Sequence, residues 1–296
     1  MDTLYLHIGY GKSGTTAIQK YAFRHFNDQK VFLPKTGWWK EGVGHHHLTN
    51  DLDRSIPDST LIPKWENTIS ELLQANTKKG FISSEQLCFF EPEQIELIHG
   101  IISRGNWAIK IIFFVRNQLD LILSSYLEKL KHNPIQKIGD FNFFLAQNKE
   151  YFEFSKRLES WERLFGMDNL IVKLYDKSLY SNIVPVLCEI IDVPYIQSID
   201  HDQTDLMTNL SLIPETISLI NIFDQQNSED DLFLSKRAEL IAKLINISAE
   251  LRQQSSGIDF FQNEKSNIIN SFKDFNLSFS KKYLSNLEAE VLLSRY

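Results

Sequence analysis

The start of the chain constrains the fold most, because an apolar strand pattern passes through a glycine-bearing loop into a helical pattern. Residues 4–8 have the sequence LYLHI, residues 9–14 contain three glycines, and apolar residues recur at helical spacing from Thr15 to Phe26. The first N–H groups of a helix have no partner within the helix and lie at the positive end of its dipole. The sequence therefore predicts a strand–loop–helix unit that binds phosphate or sulfate.

The same alternation continues along the chain. Further strand patterns lie at Val31–Leu33, Gly80–Ser83, Ala108–Val115 and Asn169–Tyr175. Helical patterns follow at Lys64–Thr77, Pro92–Ser103, Leu119–Lys131 and in a segment ending near Ile191, whereas residues 34–63 look irregular. This order predicts an α/β fold with a parallel sheet.

After about Thr208 only helical patterns appear, at Ile213–Asp224 and Asp230–Gln253, and no linker composition separates them from the rest. We therefore expect a single domain over residues 1–296. An α/β core would occupy residues 1–207, and a helical layer would occupy residues 208–296.

Composition and charge exclude some classes of protein. A net charge of −7 disfavours a general nucleic-acid-binding protein, although a small anion needs only a few cations in its pocket. Cys88 and Cys188 lie in apolar company and are expected to be buried free thiols in a reducing compartment. The N-terminus lacks the basic segment of a signal peptide, and no apolar run reaches the roughly 18 residues that cross a membrane. We expect a cytoplasmic protein without a transmembrane segment.

The first loop differs from the Walker A loop of kinases. Gly9 and Gly14 have the right separation, but Thr15 stands where that motif needs lysine, and Lys12 precedes the second glycine. Lysine, glycines and hydroxyl groups nevertheless converge within six residues, which favours an anion site over an ordinary turn. A kinase is therefore disfavoured.

A second candidate anion site follows the most apolar strand. Arg116 comes directly after residues 111–115, and Ser124 lies eight residues later, about two helical turns into the next helix. Ligands of open α/β sheets bind beyond the carboxyl ends of strands, and guanidinium groups bind phosphate in a bidentate manner. The alternative is an arginine that pairs with a carboxylate.

Together, the two segments resemble the superfamily of sulfotransferases that use 3'-phosphoadenosine 5'-phosphosulfate (PAPS), in particular its bacterial carbohydrate-type members. Residues 11–16, GKSGTT, are similar to the family's 5'-phosphosulfate loop, with Gly11 in place of proline. Residues 114–126 are similar to its 3'-phosphate motif, with Gln118 where many members have proline. Weaker similarities lie at residues 173–176 and 209–212.

The resemblance implies a P-loop-like parallel sheet flanked by helices, a donor PAPS that leaves as the product PAP, and no catalytic metal. Lys12 would stabilise charge on the oxygen that bridges sulfur and phosphorus, and Arg116 with Ser124 would hold the 3'-phosphate. Tyr175 would lie near the adenine. The implied cofactor-binding residues are Gly11, Lys12, Ser13, Gly14, Thr15, Thr16, Arg116, Ser124, Tyr175, Asn209 and Ser211.

Two segments offer a base for the acceptor hydroxyl group. We favour His46 or His47 over His45 in the long loop, because neutral imidazole accepts a proton near pH 7. Glu85, just past a strand end, is the second choice. The alternatives are a solvated histidine loop and a helix-capping carboxylate. A metal site is disfavoured, because adjacent side chains in an extended segment point in different directions.

Trp38 and Trp39 share the histidine loop and either pack on a sugar ring or fix the loop to the core. The favoured acceptor is therefore a hydroxyl group of a carbohydrate or glycolipid. A small aryl or alkyl acceptor is the nearest alternative. A kinase and a non-enzymatic nucleotide-binding module are the more distant ones.

Overall fold

A computed structural model describes residues 1–39, 43–49, 58–197, 212–227, 232–254 and 262–294. Within these residues, five strands form one parallel sheet in the order β2-β3-β1-β4-β5. The strands are β1 Thr3–His7, β2 Val31–Phe32, β3 Lys79–Ser83, β4 Ala108–Val115 and β5 Leu170–Leu174. The predicted α/β class with a P-loop-like parallel sheet is confirmed.

Helices connect these strands and form most of the remaining described chain. The first eight are α1 Thr15–His25, α2 Leu61–Gln74, α3 Pro92–Ile102, α4 Gln118–His132, α5 Ile135–Ile138, α6 Phe141–Asn148, α7 Phe154–Phe165 and α8 Val184–Ile191. The later ones are α9 Ile217–Asn227, α10 Phe233–Gln254, α11 Gln262–Tyr283 and α12 Asn286–Leu293.

The contact pattern divides the chain into two compact units. The first contains Met1–Asn117, Glu153–Ile196 and Asp274–Tyr296, and the second contains Gln118–Phe152 and Gln197–Lys273. The sheet lies wholly within the first unit. The expected single domain, with a core of residues 1–207 and a helical layer after it, stays a prediction.

The sheet of the first unit is covered on both faces, which explains its continuous apolar strands. Successive side chains of a strand point to opposite faces. On one face, Tyr5 and Phe114 join a buried core with residues of α1 and α8, such as Ile18 and Leu187. On the other face α7 contacts β4 and β5 and packs on α3, which packs on α2.

The central strand β1 lies between β3 and β4 in register, so that His7 pairs with both Ser83 and Ile112. Because the strands are parallel, their carboxyl ends reach the same edge of the sheet. One edge of the sheet therefore carries the segments that follow the three neighbouring strands: the loop after β1, the turn after β3 and Arg116 after β4. This edge carries most of the residues expected at the site.

Some helices differ from those expected from the sequence. The second helix begins at Leu61 rather than Lys64, because Pro63 lies in its first turn, where a missing N–H costs nothing. Residues 46–48 form one 3₁₀ turn inside the segment expected to be irregular. The helices α5, α6 and α7 were not predicted.

Both cysteines are buried free thiols, as expected. Among the helices that the structure describes, none combines the length and the apolar character that crossing a bilayer requires.

Candidate active site

The loop after β1 has a backbone that suits glycine. Gly14 adopts a left-handed conformation with φ 81° and forms the N-cap of α1. A Cβ atom at Gly14 would lie 2.8 Å from Cγ2 of Ile183, so any larger residue would collide. Lys12 is also left-handed, with φ 65°, an uncommon conformation for a residue with a side chain. The helix therefore begins at this loop with its first N–H groups available.

One buried hydroxyl group of this loop is left without a partner. The side chain of Ser13 is fully buried, and its Oγ makes no hydrogen bond with any residue that the structure describes. Buried polar atoms without partners are rare, because each costs about 1–3 kcal/mol. A ligand oxygen at the N-terminus of α1 would satisfy this atom. The loop therefore fits a phosphate or phosphosulfate group.

Arg116 and Tyr175 reach the same loop from neighbouring strands. Nη1 of Arg116 donates a hydrogen bond to the carbonyl oxygen of Lys12 at 3.2 Å, which ties the end of β4 to the loop. Cε2 of Tyr175 lies 3.7 Å from the position of a Cβ at Gly14. Four expected site residues thus lie together at the edge of the sheet.

His46 and Glu85 are also neighbours. Nδ1 of His46 shares a hydrogen bond with Oγ of Ser84 at 2.9 Å, and Nε2 of His46 lies 3.7 Å from Oε2 of Glu85. Nε2 of Gln19 donates to the same Oε2 at 2.8 Å and to Oγ of Ser83 at 3.2 Å. We refer to Gln19, His46, Ser83, Ser84 and Glu85 as the Glu85 cluster.

The Glu85 cluster lies beside the loop after β1, residues 9–14, which we refer to as the anion loop. Cγ of Glu85 is 3.9 Å from the position of a Cβ at Gly11. The Glu85 side chain is 26% exposed, whereas the His46 side chain is 9% exposed. A carboxylate with solvent access thus lies next to the loop that fits an anion.

A comparison with protein families covers the whole sheet, the anion loop and the arginine after β4. A family model described as "Sulfotransferase domain" matches residues 2–193, more than half of the chain. The chain belongs to the sulfotransferase family. Members of this family use PAPS as their sulfuryl donor. No curated protein sequence matches the chain in a separate comparison. The kinase and the non-enzymatic module are therefore set aside.

His45 and His47 lie next to His46 in the loop between β2 and α2, but their surroundings differ from those of His46. Nδ1 of His45 accepts a hydrogen bond from the N–H of Ser83 at 3.1 Å, so its Nε2 carries the proton and donates to the carbonyl oxygen of Pro34 at 3.1 Å. Burial lowers the pKa of His45 to about 4. The ring of His47 is exposed. His45 is thus a structural residue, fixed by two backbone groups.

Two residues of the candidate active site were not expected from the sequence. His7, the last residue of β1, is fully buried, and its Nδ1 shares a hydrogen bond with Oγ of Ser83 at 2.8 Å. Burial lowers the pKa of His7 to about 3. Gln19 lies four residues after Thr15, on the same side of α1. A polar residue at the carboxyl end of a buried strand, or on the buried side of a helix, was the available signal.

The two tryptophans have different surroundings. Trp38 stacks on Phe23 with centroids 5.3 Å apart and meets the ring of His45 edge-on at 4.9 Å, so it fixes the loop to the core. Trp39 is 36% exposed, and its ring meets that of His46 edge-on at 5.7 Å. The surroundings of Trp38 therefore suit the role of fixing the loop to the core, and those of Trp39 suit the role of packing on a sugar ring.

Three expected cofactor-binding residues are not brought to the loop by the described structure of the first unit. Ser124 is half-buried on α4 in the second unit, so its pairing with Arg116 stays a prediction. Asn209 and Ser211 lie outside the described residues. Within the described part of the chain, no group of three or more His, Cys, Asp or Glu side chains could hold a metal ion.

Proposed function

We propose that this sulfotransferase transfers a sulfuryl group from PAPS to a hydroxyl group of a carbohydrate or glycolipid, and releases PAP without a metal. The observation that carries the proposal is the orphaned Oγ of Ser13, which lies buried beside Lys12 at the N-terminus of α1. A phosphosulfate supplies an oxyanion for this position and an activated sulfuryl group for transfer.

The residues have separate roles in this proposal. Lys12 stabilises the negative charge that develops on the departing oxygen, while Ser13, Gly14, Thr15 and Thr16 hold the 5'-phosphosulfate with Gly11 beside them. Arg116 and Ser124 hold the 3'-phosphate through charge-assisted hydrogen bonds. Tyr175 contacts the adenine, and Asn209 with Ser211 closes the site. Group transfer then depends mainly on positioning and electrostatic stabilisation.

The base in our proposal belongs to the pair of His46 and Glu85. His47 is exposed and His45 is fixed by backbone groups, so His46 is the histidine best placed for the role. Glu85 is the more exposed member and lies nearer to Gly11. One member accepts the hydroxyl proton, and the other stabilises the charge that results.

The exposed ring of Trp39 beside this pair supports a sugar acceptor, because aromatic faces pack well against the C–H faces of sugars. An aryl acceptor can stack on the same ring, so the acceptor assay below also includes phenols. The two buried free thiols support a cytoplasmic location, where thiols remain reduced.

Calorimetry with PAP and a chelator tests the donor site. We expect PAP to bind without metal and more tightly than ATP with Mg²⁺. Transfer of ³⁵S from PAPS to a panel of methyl glycosides, glycolipids and simple phenols then tests the acceptor. A clear preference for ATP with Mg²⁺ over PAP would contradict the donor, and transfer to phenols alone would contradict the carbohydrate acceptor.

A further inference from the structure

Gln19 is a buried glutamine with both amide hydrogens engaged. Its side chain is 2% exposed, and Nε2 donates to Oε2 of Glu85 at 2.8 Å and to Oγ of Ser83 at 3.2 Å. An NH₂ group has two donors, so these two bonds use its whole capacity. Burying a polar amide is unfavourable unless it is hydrogen-bonded, which makes this contact a defined arrangement rather than incidental proximity.

The backbone around the amide leaves space for this arrangement. Gly44 has φ 103°, and a Cβ atom there would lie 2.8 Å from Nε2 of Gln19 and 3.1 Å from Nε2 of His46. The absent side chain at Gly44 therefore lets the amide of Gln19 and the ring of His46 approach the same place. Oε2 of Glu85 accepts the hydrogen bond from Gln19, and Nε2 of His46 lies 3.7 Å from the same oxygen.

Gln19 also links this place to the anion loop through a rigid element. The helix α1 begins at Thr15, immediately after the capping Gly14, and Gln19 lies about one turn further along. The N-terminus of α1 contacts the anion site, and the buried side of the same helix contacts Glu85. A single helix thus sets the distance between the two.

We propose that Gln19 is a positioning residue, which fixes the carboxylate of Glu85 relative to the anion loop and so directs the pair of His46 and Glu85 toward the acceptor hydroxyl group. This proposal rests on the proposed function. The hydrogen bond to Oε2 selects one orientation of the Glu85 carboxylate, and α1 transmits the position of the bound donor to it. A displacement of about 1 Å in such a group lowers the rate by about a hundredfold.

Two substitutions test the role of the amide. Gln19→Leu removes both hydrogen bonds at nearly constant size, and Gln19→Met is the second variant if the leucine form does not fold. We expect kcat to fall by about tenfold to a hundredfold, with the PAP dissociation constant changed less than about threefold, because the anion loop is intact. Gln74→Leu, at an exposed glutamine of α2, is the matched control.

A double-mutant cycle separates positioning from general loss of structure. If Gln19 acts through Glu85, then Gln19→Leu in the Glu85→Gln background causes little further loss of kcat, because coupled residues are not additive. Additive losses would overturn the proposal, as would an unchanged kcat in a folded Gln19→Leu or a PAP affinity that falls in parallel with kcat.

Activity is measured with the acceptor, among the glycosides, glycolipids and phenols tested above, that the wild-type enzyme uses best. If none of them is sulfated, the hydrolysis of PAPS is measured instead. Failure of the wild-type enzyme to bind PAP would contradict the proposed function instead. The two proposals therefore fail in different ways.

Discussion

The two units each contain a buried polar network, and the two networks differ in how completely they are satisfied. In the second unit, Nε of Arg237 binds Oδ1 of Asp224 at 2.8 Å, and both side chains are almost fully buried. The guanidinium also donates to the carbonyl oxygens of Leu130, Lys131 and Asn133. The other carboxylate oxygen of Asp224 accepts from the N–H of Ile135 at 2.9 Å.

The network of the first unit is not closed in this way. Oγ of Ser13 in the anion loop and Nε2 of His7 are buried and find no partner among the described residues, although Nδ1 of His7 and the members of the Glu85 cluster are hydrogen-bonded. We refer to the anion loop, His7 and the Glu85 cluster together as the open network. Buried polar groups without partners call for an explanation. We infer that a closed network such as that of Arg237 serves structure, whereas an open one at a sheet edge is completed by a ligand.

The largest expected effect concerns the closed network. Arg237→Met leaves the Asp224 carboxylate buried and unpaired, and removes the donors that cap the end of α4. We expect the free energy of unfolding to fall by about 3–5 kcal/mol, the range for breaking a buried ion pair. Urea denaturation measures this loss, with Lys243→Met at an exposed lysine of α10 as control. A loss below about 1 kcal/mol would show that the pair is not structural.

Substitutions in the open network are expected to lower the turnover number rather than the free energy of unfolding. Lys12→Ala should lower kcat by about a hundredfold to a thousandfold, the cost of removing one preorganised group that stabilises developing charge. The unfolding midpoint should change little, because Lys12 is half-exposed. Steady-state kinetics at saturating PAPS measure the effect, and Lys281→Ala is the control. Equal losses in kcat and PAP affinity would contradict this differential role.

The sequence was sufficient where chemistry and local pattern coincide. The anion loop, α1 and β4 could be predicted from residues 4–26 and 108–116, because each is encoded by a short segment with its own apolar period and punctuation. The edge shared by Lys12 and Arg116 followed from parallel pairing alone. These properties are local or topological, so one amino-acid sequence is enough to predict them.

The contacts of the Glu85 cluster could not be predicted in the same way. Gln19 meets Glu85 across 66 positions of the chain, and His46 meets Ser84 across 38. The first contact depends on how α1 packs beside the end of β3, and the second depends on how the loop before α2 folds against the same end. No local pattern specifies either arrangement. The helix α7 is a different case, because Phe154, Leu158, Trp161 and Phe165 recur at helical spacing, so its own segment carried the signal and only its packing on β4 and β5 needed the structure.

A smaller effect is expected at Arg116, which donates a hydrogen bond to the anion loop of the open network. Arg116→Ala should weaken PAP binding by roughly 2–4 kcal/mol, since it removes a charged donor from a desolvated pair. Arg116→Lys keeps the charge but loses the planar fork, so we expect a partial loss. Calorimetry on both variants measures these changes. Wild-type affinity in folded Arg116→Ala would show that the guanidinium serves only the carbonyl oxygen of Lys12.

The smallest expected effect is the acid sensitivity of the first unit. Burial lowers the pKa of His7 to about 3 and that of His45 to about 4, from an ordinary value near 6.5. Between the unfolded and folded pKa values, each histidine binds a proton in the unfolded chain and none in the native one. The free energy of unfolding must therefore fall as the pH is lowered through this window, by up to about 1.4 kcal/mol per pH unit for each histidine.

Substitution of each histidine separates these contributions from the rest of the chain. His45→Asn or His7→Asn should reduce the slope of unfolding free energy against pH, between about pH 6 and pH 4.5, by up to one proton. The double variant should lose twice as much, whether or not the substitutions also lower stability at neutral pH. Urea denaturation at several pH values measures the slopes. If the slope stays at its wild-type value in both single variants, the two imidazoles take up protons in the folded protein, and Nε2 of His7 is accessible to solvent rather than reserved for a ligand.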